Sequence, residues 1–314
     1  MKIAIAQINC MVGDVAGNMA KIIASASQAK AQGATLMITP ELSLCGYPPE
    51  DLLLREDFLC LCEQALQQLC KQLQGITVII GHPQQTPEGC FNALSVLEQG
   101  EITATYHKHV LPNHSVFDEK RYFTSGHQAL VFKHHGIEIG ALICADVWEA
   151  EPALLAKAAG ATILIAINAS PYHMEKQSTR LEILRQRVEE TGLPIIYANM
   201  VGGQDELVFD GASFVLSAQG VLTQQLPAFK SALALIEFQH NQPVPGAIAQ
   251  PMNSVASVYA ALKLGLADYI NKNGFPGVVL GLSGGIDSAL TLAIAVDALG
   301  ADKVHAVMMP SEFT

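Results

Sequence analysis

The sequence predicts an α/β protein built as a four-layer α-β-β-α sandwich, two β-sheets packed face to face with helices outside, followed by the truncated beginning of a second α/β domain. Three observations carry this reading. Strand-length apolar runs alternate with helical stretches from the first residues onward. Strands outnumber the helices between them, as they do when two sheets share a core. The composition then changes between His240 and Pro251, where Pro243, Pro245, Gly246 and Pro251 break helix and strand alike. The divisions that follow are a first domain over residues 1–240, a linker over 241–252, and an incomplete second domain over 253–314.

In chain order, a strand at 2–8 is followed by a helical pattern from Gly17 to Gln32 and a short apolar run, Thr35 to Thr39, which makes a β-α-β beginning. Pro40-Glu41 closes that second strand. Tyr47-Pro48-Pro49-Glu50-Asp51 reads as a loop that sets proline and acids at the start of the next helix, which runs to Gln74. Strands follow at 76–81, 91–97 and 101–107, with Gly89 and Gly100 at the turns. After Lys108 the stretch from Leu111 to Phe123 is irregular, polar and aromatic, the character of a functional loop. Strands at 129–134 and 137–143 are separated by His135-Gly136, and the second delivers Cys144. A helix, the strand Ala161 to Ile167, a helix from Glu175 to Thr191, the strand Leu193 to Ala198, and strands near 211–217 and 232–238 complete the first domain. Beyond the linker, Asn253 to Asn273 is helical and is stopped by Asn273-Gly274. Val278-Val279-Leu280 then leads into a glycine-rich turn and a helix, and a last strand spans 304–309.

Half of the residues are hydrophobic and only 15% are charged, so a well-buried core is expected rather than disorder. The formal net charge of −11 argues against a nucleic-acid partner held by phosphate neutralisation. The seven cysteines, Cys10, Cys45, Cys60, Cys62, Cys70, Cys90 and Cys144, form no disulfide framework, and reduced thiols in a cytoplasmic protein fit them best. The amino-terminal run is broken by polar residues before it makes a signal sequence, and no apolar run approaches the ~18 residues of a membrane span.

Two constellations carry chemistry. Glu41, Lys108 and Cys144 each stand at the end of an expected strand, and the expectation is that they meet at one sheet edge. Amide hydrolysis by a thiol needs a base for the sulfur proton and a positive donor for the oxyanion, roles that a glutamate and a lysine supply. Singly, each charge reads as a solvated surface group and the cysteine as a packed thiol. The second constellation, Gly281-Leu282-Ser283-Gly284-Gly285-Ile286-Asp287-Ser288, joins a strand to a helix. Glycines let backbone approach a phosphate, the helix amino terminus favours an anion, and Ser283 and Ser288 add hydroxyls. The run lacks both the GK[ST] ending of a Walker loop and the GxGxxG spacing of dinucleotide folds.

On these residues the first domain resembles the nitrilase, or carbon–nitrogen hydrolase, superfamily. The matching stretches are Thr39-Pro40-Glu41-Leu42, Tyr106-His107-Lys108 with Leu111-Pro112-Asn113, and Ile143-Cys144-Ala145-Asp146-Val147-Trp148. Phe117 to Phe123, Asn168 to Tyr172 and Gly202 to Gly211 are closer still to the glutaminase domains of glutamine-dependent NAD⁺ synthetases. The second domain is similar to the Rossmann-like ATP pyrophosphatases through its SGGxDS loop and through Val307-Met308-Met309-Pro310-Ser311.

The resemblance implies a Glu41, Lys108, Cys144 triad supported by Glu119, and glutamine contacts from Phe117, Ser170, Lys176 and the position of His114. It also implies an ATP site of Gly281, Ser283, Gly284, Gly285, Asp287, Ser288 and Met309, with Asp287 as a magnesium ligand. Two positions depart from the family pattern. Ala145 stands where a glutamate is expected, which bears on recognition of the glutamine α-amino group, and His114 replaces a tyrosine. The backbone N–H at 145 still serves an oxyanion hole. The implied substrates are glutamine, ATP and deamido-NAD⁺, with ATP and Mg²⁺ used by the synthetase half and no cofactor by the glutaminase step. A homo-oligomer without nucleic acid or membrane is expected. A stand-alone amidase for another small amide and a weakly active binding or assembly fragment are the alternatives.

Overall fold

The computed structural model describes residues 1–308; Met309, the last residue assigned to the ATP site, lies outside them. In order the elements are β1 (Lys2–Gln7), α1 (Val15–Ala31), β2 (Leu36–Ile38), α2 (Glu56–Gln72), β3 (Thr77–Thr86), β4 (Gly89–Glu98) and β5 (Glu101–His107). Then come β6 (Val131–His134), β7 (Ile137–Ile143), α3 (Ala150–Ala158), β8 (Ile163–Asn168), α4 (Lys176–Thr191) and β9 (Ile195–Asn199). The hairpin β10 (Val201–Gln204) and β11 (Leu207–Asp210) is followed by β12 (Phe214–Leu216), β13 (Leu222–Gln225), β14 (Ala232–Gln239) and β15 (Gln242–Pro243). Last are α5 (Ser254–Lys272), β16 (Val278–Leu282), α6 (Ile286–Leu299) and β17 (Val304–Met308).

Two sheets form, with strand orders β15-β14-β1-β2-β3-β4-β5 and β13-β12-β9-β8-β7-β6. Alternation decides which way each side chain faces. In β1, Ile3 and Ile5 enter the layer between the sheets with Ile38, Ile79, Ile143 and Ile165, whereas Ala4 and Ala6 turn to the core under α1 and α2. In the second sheet, Leu142, Leu164 and Ala166 face α3 and α4, which cover them with Ala153, Ala156, Leu184 and Val188. Four layers result. The small Ala4 and Ala6 and the bulkier isoleucines of one strand show that the helix-facing and sheet-facing layers ask for different volumes.

Several elements differ from the sequence expectation. The hairpin β3–β4 runs through Pro83 to Thr86, well past the apolar stretch, because its polar residues pair in register from Val78↔Leu97 to Thr86↔Gly89. The glycines and acids of 202–206 hide a second hairpin, β10–β11, paired Val201↔Asp210 to Gln204↔Leu207. β13 contains two glutamines and carries no apolar alternation, yet it pairs with β12. The linker is strapped down rather than loose. Gln242–Pro243 pairs with the end of β14, and Ala249 N–H and Ala247 O bond Gln225 at 3.0 and 3.1 Å. Proline is tolerated there because β15 is an edge strand, where a missing N–H breaks no interior ladder.

Helix α5 lies on the hairpin β10–β11. Asp268 accepts from Asn9 Nδ2 at 2.7 Å and from Gly203 N–H at 2.6 Å, and Lys272 donates to Cys10 O and Gly203 O at 2.8 and 2.7 Å. Only glycine permits this approach: a Cβ on Gly203 would stand 2.9 Å from the Cα of Gly265. Among the described residues no helix is long and apolar enough to cross a membrane.

Candidate active site

Three strand ends deliver the catalytic candidates. Glu41 follows β2 and Lys108 follows β5 of one sheet, whereas Cys144 follows β7 of the facing sheet, so the three meet across the sandwich rather than at the single sheet edge expected from sequence. The two charged groups are fully buried, and Lys108 Nζ donates to Glu41 Oε1 at 2.6 Å and to Glu119 Oε1 at 2.8 Å. Glu41 is held from three directions, since Asn92 Nδ2 donates to its Oε1 at 2.8 Å and Ala169 N–H to its Oε2 at 2.8 Å. Tyr47 OH donates to Glu119 Oε1 at 2.8 Å.

The electrostatics follow from burial and this pairing. Burial works to discharge Lys108, but the carboxylates of Glu119 and Glu41 outweigh it and hold its pKa above the ordinary lysine value. Burial pushes Glu119 up to about 7 against the opposing pull of Lys108. The Cys144 thiol is raised well above its ordinary 9.0, first by burial and then by the charge of Glu41, with Lys108 pulling the other way. At rest it is therefore a neutral thiol beside a carboxylate, and it must lose its proton in the act of attack.

Cys144 stands at φ +44°, a left-handed conformation rare for a residue with a side chain, at the junction of β7 and a 3₁₀ turn over Cys144–Trp148. Strain of this sort, about 1–3 kcal/mol, persists only where surrounding contacts enforce it. Asp146 supplies them. Its fully buried carboxylate accepts from Ile143 N–H at 2.9 Å, His109 N–H at 3.0 Å, Val110 N–H at 2.8 Å and Tyr106 OH at 2.8 Å. One side chain thus ties the turn that carries the thiol to the segment that carries Lys108.

The residues assigned to glutamine divide into two groups. Ser170 is buried directly after the Ala169 N–H that holds Glu41, and Lys176 lies over the Trp148 ring at 4.1 Å, on the same turn as Cys144. Phe117 lines a cavity of about 260 Å³ with Tyr47, Pro48, Glu119, Tyr122 and Phe123. His114 is exposed and meets Phe117 edge-on at 5.9 Å. Ala145 is buried, so the site carries no carboxylate side chain at that position.

The glycine-rich loop lies between β16 and α6, which with β17 form a parallel β-α-β unit. Gly284 is at φ +85° with nothing within 4 Å of an added Cβ, so backbone conformation is what demands glycine. Ser288 Oγ donates to Gly285 O at 2.9 Å and lies 3.2 Å from Ser283 Oγ. Gly281, Ser283, Gly284, Gly285 and Asp287 are all exposed. Among the described residues no three His, Cys, Asp or Glu side chains converge as a metal cluster. One exposed carboxylate in the first turn of α6 still fits Mg²⁺, an ion usually held by one or two carboxylates and the substrate's phosphates.

The family model for carbon-nitrogen hydrolase matches residues 2–242. The chain belongs to the carbon–nitrogen hydrolase family. A second model, NAD synthase, matches residues 258–314 of this carbon–nitrogen hydrolase. The chain is 44% identical over 316 residues to the glutamine-dependent NAD(+) synthetase of Acinetobacter baylyi, covering all of this chain and 58% of that protein. It is similar, at 42% identity and a TM-score of 0.94, to the structure of glutamine-dependent NAD+ synthetase from Acinetobacter baumannii in complex with ADP, covering 100% of this chain and 60% of the other. An amidase from Nesterenkonia sp. matches 78% of this chain and 90% of its own, at 27% identity and a TM-score of 0.69. The chain therefore spans about three fifths of the length of the synthetases it matches.

Tyr47, Asn92, Asp146, Arg180 and Asp210 were not assigned roles from sequence. Arg180 had a readable signal: it shares a helical stripe with Leu184 and Val188, where a buried arginine demands a buried acid. Asn92 had none, because its role depends on β4 lying beside the turn after β2.

Proposed function

We propose that this chain is the glutamine-hydrolysing part, with the first segment of the ATP-using part, of a glutamine-dependent NAD⁺ synthetase. The observation that carries the reading is the buried Glu41, Lys108, Glu119 network beside a strained, protonated Cys144. Glu41 takes the thiol proton as Cys144 attacks the carboxamide carbon. Lys108 has three N–H groups, of which Glu41 and Glu119 occupy two, and the third steadies the oxyanion with the backbone N–H of Ala145. Ammonia leaves carrying that proton, and water hydrolyses the glutamyl thioester with Glu41 as base. Phe117, His114, Ser170 and Lys176 would contact the glutamine.

In the same reading the loop Gly281, Ser283, Gly284, Gly285 and Ser288, with Met309 from the following segment, takes the phosphates and adenine of ATP. Asp287 would hold Mg²⁺, whose charge offsets that of the phosphates when it is bound. The carboxylate of deamido-NAD⁺ takes the adenylyl group of ATP with release of pyrophosphate, and ammonia then displaces AMP to give the amide of NAD⁺. A cytoplasmic homo-oligomer, with the glutaminase unit at 1–240 and the synthetase unit from 253, belongs to this proposal.

The test is ammonia and NAD⁺ formation by the full-length protein supplied with ATP, deamido-NAD⁺ and either glutamine or ammonium. Cys144→Ala should abolish the glutamine-supported reaction and leave the ammonium-supported one. Glutamine-supported NAD⁺ formation by Cys144→Ala would overturn the reading.

A further inference from the structure

Arg180 is among the largest fully buried side chains of the protein. Its guanidinium donates through Nη1 to both oxygens of Asp210 at 2.9 Å and to Gln177 Oε1 at 3.2 Å. Nη2 donates to Ser170 O at 2.8 Å and Pro171 O at 3.1 Å, and Nε to Ser170 Oγ at 3.2 Å. The desolvation of such a pair offsets much of its attraction, and apolar residues of similar volume often stabilise a fold as well or better. Stability is therefore a weak reason for its presence. What apolar residues cannot reproduce is the fork that grips two successive carbonyls and a hydroxyl of one loop.

That loop follows β8. Its preceding residue, Ala169, gives the N–H that holds Glu41 Oε2 at 2.8 Å, and Asn199 Oδ1 accepts from Ser170 N–H at 3.0 Å. Asp210 comes from β11, whose Val208 O also accepts from Tyr172 N–H at 2.6 Å. The loop is thus clamped at its carbonyls by an arginine from α4, which is itself aimed by an aspartate from the hairpin. We propose that the Arg180–Asp210 pair is a positioning device for the catalytic base: it fixes the Ala169-Ser170-Pro171 loop so that the Ala169 N–H engages Glu41. Neither residue touches the reacting atoms. The proposal rests on Glu41 acting as base to Cys144, as in the function proposed above.

Loosening the loop removes one of the three donors that hold the Glu41 carboxylate in place, so the base is no longer fixed against the thiol. In the full-length protein, Arg180→Lys should lower kcat for glutamine hydrolysis about 10–100-fold. It should also speed hydrogen exchange at the Ala169 amide, whose acceptor is Glu41, while amides of the two sheets keep the parent's protection. The double variant Arg180→Met with Asp210→Leu removes both charges and keeps the volume. It leaves no buried lone charge, so it should fold, with a lower melt from the Ser170 and Pro171 acceptors that lose their donor, and it should show the same loss of kcat and the same faster exchange. Exchange at the Ala169 amide needs no glutamine recognition and should rise in both variants. If the parent hydrolyses no glutamine, the functional reading fails while exchange at the Ala169 amide still decides this one. A folded variant of either kind with kcat within about twofold of the parent and unchanged exchange at the Ala169 amide overturns the proposal.

Discussion

Glu41→Gln keeps the shape of the proposed base and removes its charge, so its effects on fold and chemistry separate. Oε1 accepts from Lys108 at 2.6 Å and Asn92 at 2.8 Å, and Oε2 from Ala169 N–H at 2.8 Å. An amide has a single oxygen, so whichever way it turns its NH₂ faces a donor. The milder orientation leaves the Ala169 N–H and the amide's own NH₂ without acceptors, about 1–3 kcal/mol each. Lys108 keeps Glu119 at 2.8 Å, so no further ~3–5 kcal/mol for a stranded buried charge is added. Hydrolysis should suffer far more, about 10²–10⁴-fold, the usual contribution of a positioned base. The thiol should move the other way. After burial, the charge of Glu41 is what most raises the Cys144 pKa, so removing it lets the thiolate form at lower pH. Ammonia release from glutamine, iodoacetamide alkylation against pH and a thermal melt measure the three effects. A folded Glu41→Gln enzyme that hydrolyses glutamine within about threefold of the parent, or whose thiol titrates higher, would refute the reasoning.

Three further outcomes follow from the same structure. The native Glu119 carboxyl keeps its proton to about 7 whereas the unfolded one releases it near 4.5, so the native state binds more protons in that window and stability declines as pH rises through it. Glu119→Gln should flatten that decline, roughly 3 kcal/mol at most, in urea melts taken across the window. Asp146→Asn turns one arm of a four-donor acceptor into a donor and should destabilise by about 1–3 kcal/mol per stranded N–H, with loss of glutamine hydrolysis; an unchanged melting temperature would contradict the role given to Asp146. Gly203→Ala forces a Cβ to within 2.9 Å of the Gly265 backbone and should lift α5 from the hairpin, seen as faster proteolysis in the 241–252 segment.

How much was legible from sequence differs between fold and site for a physical reason. Strands such as β1, β7 and β8 announce themselves because burial on both faces makes them continuously apolar, and that signal is local. The hairpin β10–β11 was not legible. Its glycines answer to Asn9 and to α5, far away in sequence, rather than to a turn. The polar extension of β3–β4 escaped for the same reason, since pairing with a partner strand sustains it and hydrophobic pattern does not.

The sequence by itself determined the α/β layering, the ends of strands at which Glu41, Lys108 and Cys144 stand, and the glycine loop before α6, because strand period, proline and glycine act over a few residues. Only the tertiary structure decided which charges meet. That Lys108 is shared by Glu41 and Glu119, that Asp146 binds the thiol's turn to the lysine's segment, and that Arg180 reaches Ser170 under the direction of Asp210 are contacts between elements distant in sequence. Each exists because burial leaves a charged or polar group no water and only one set of partners.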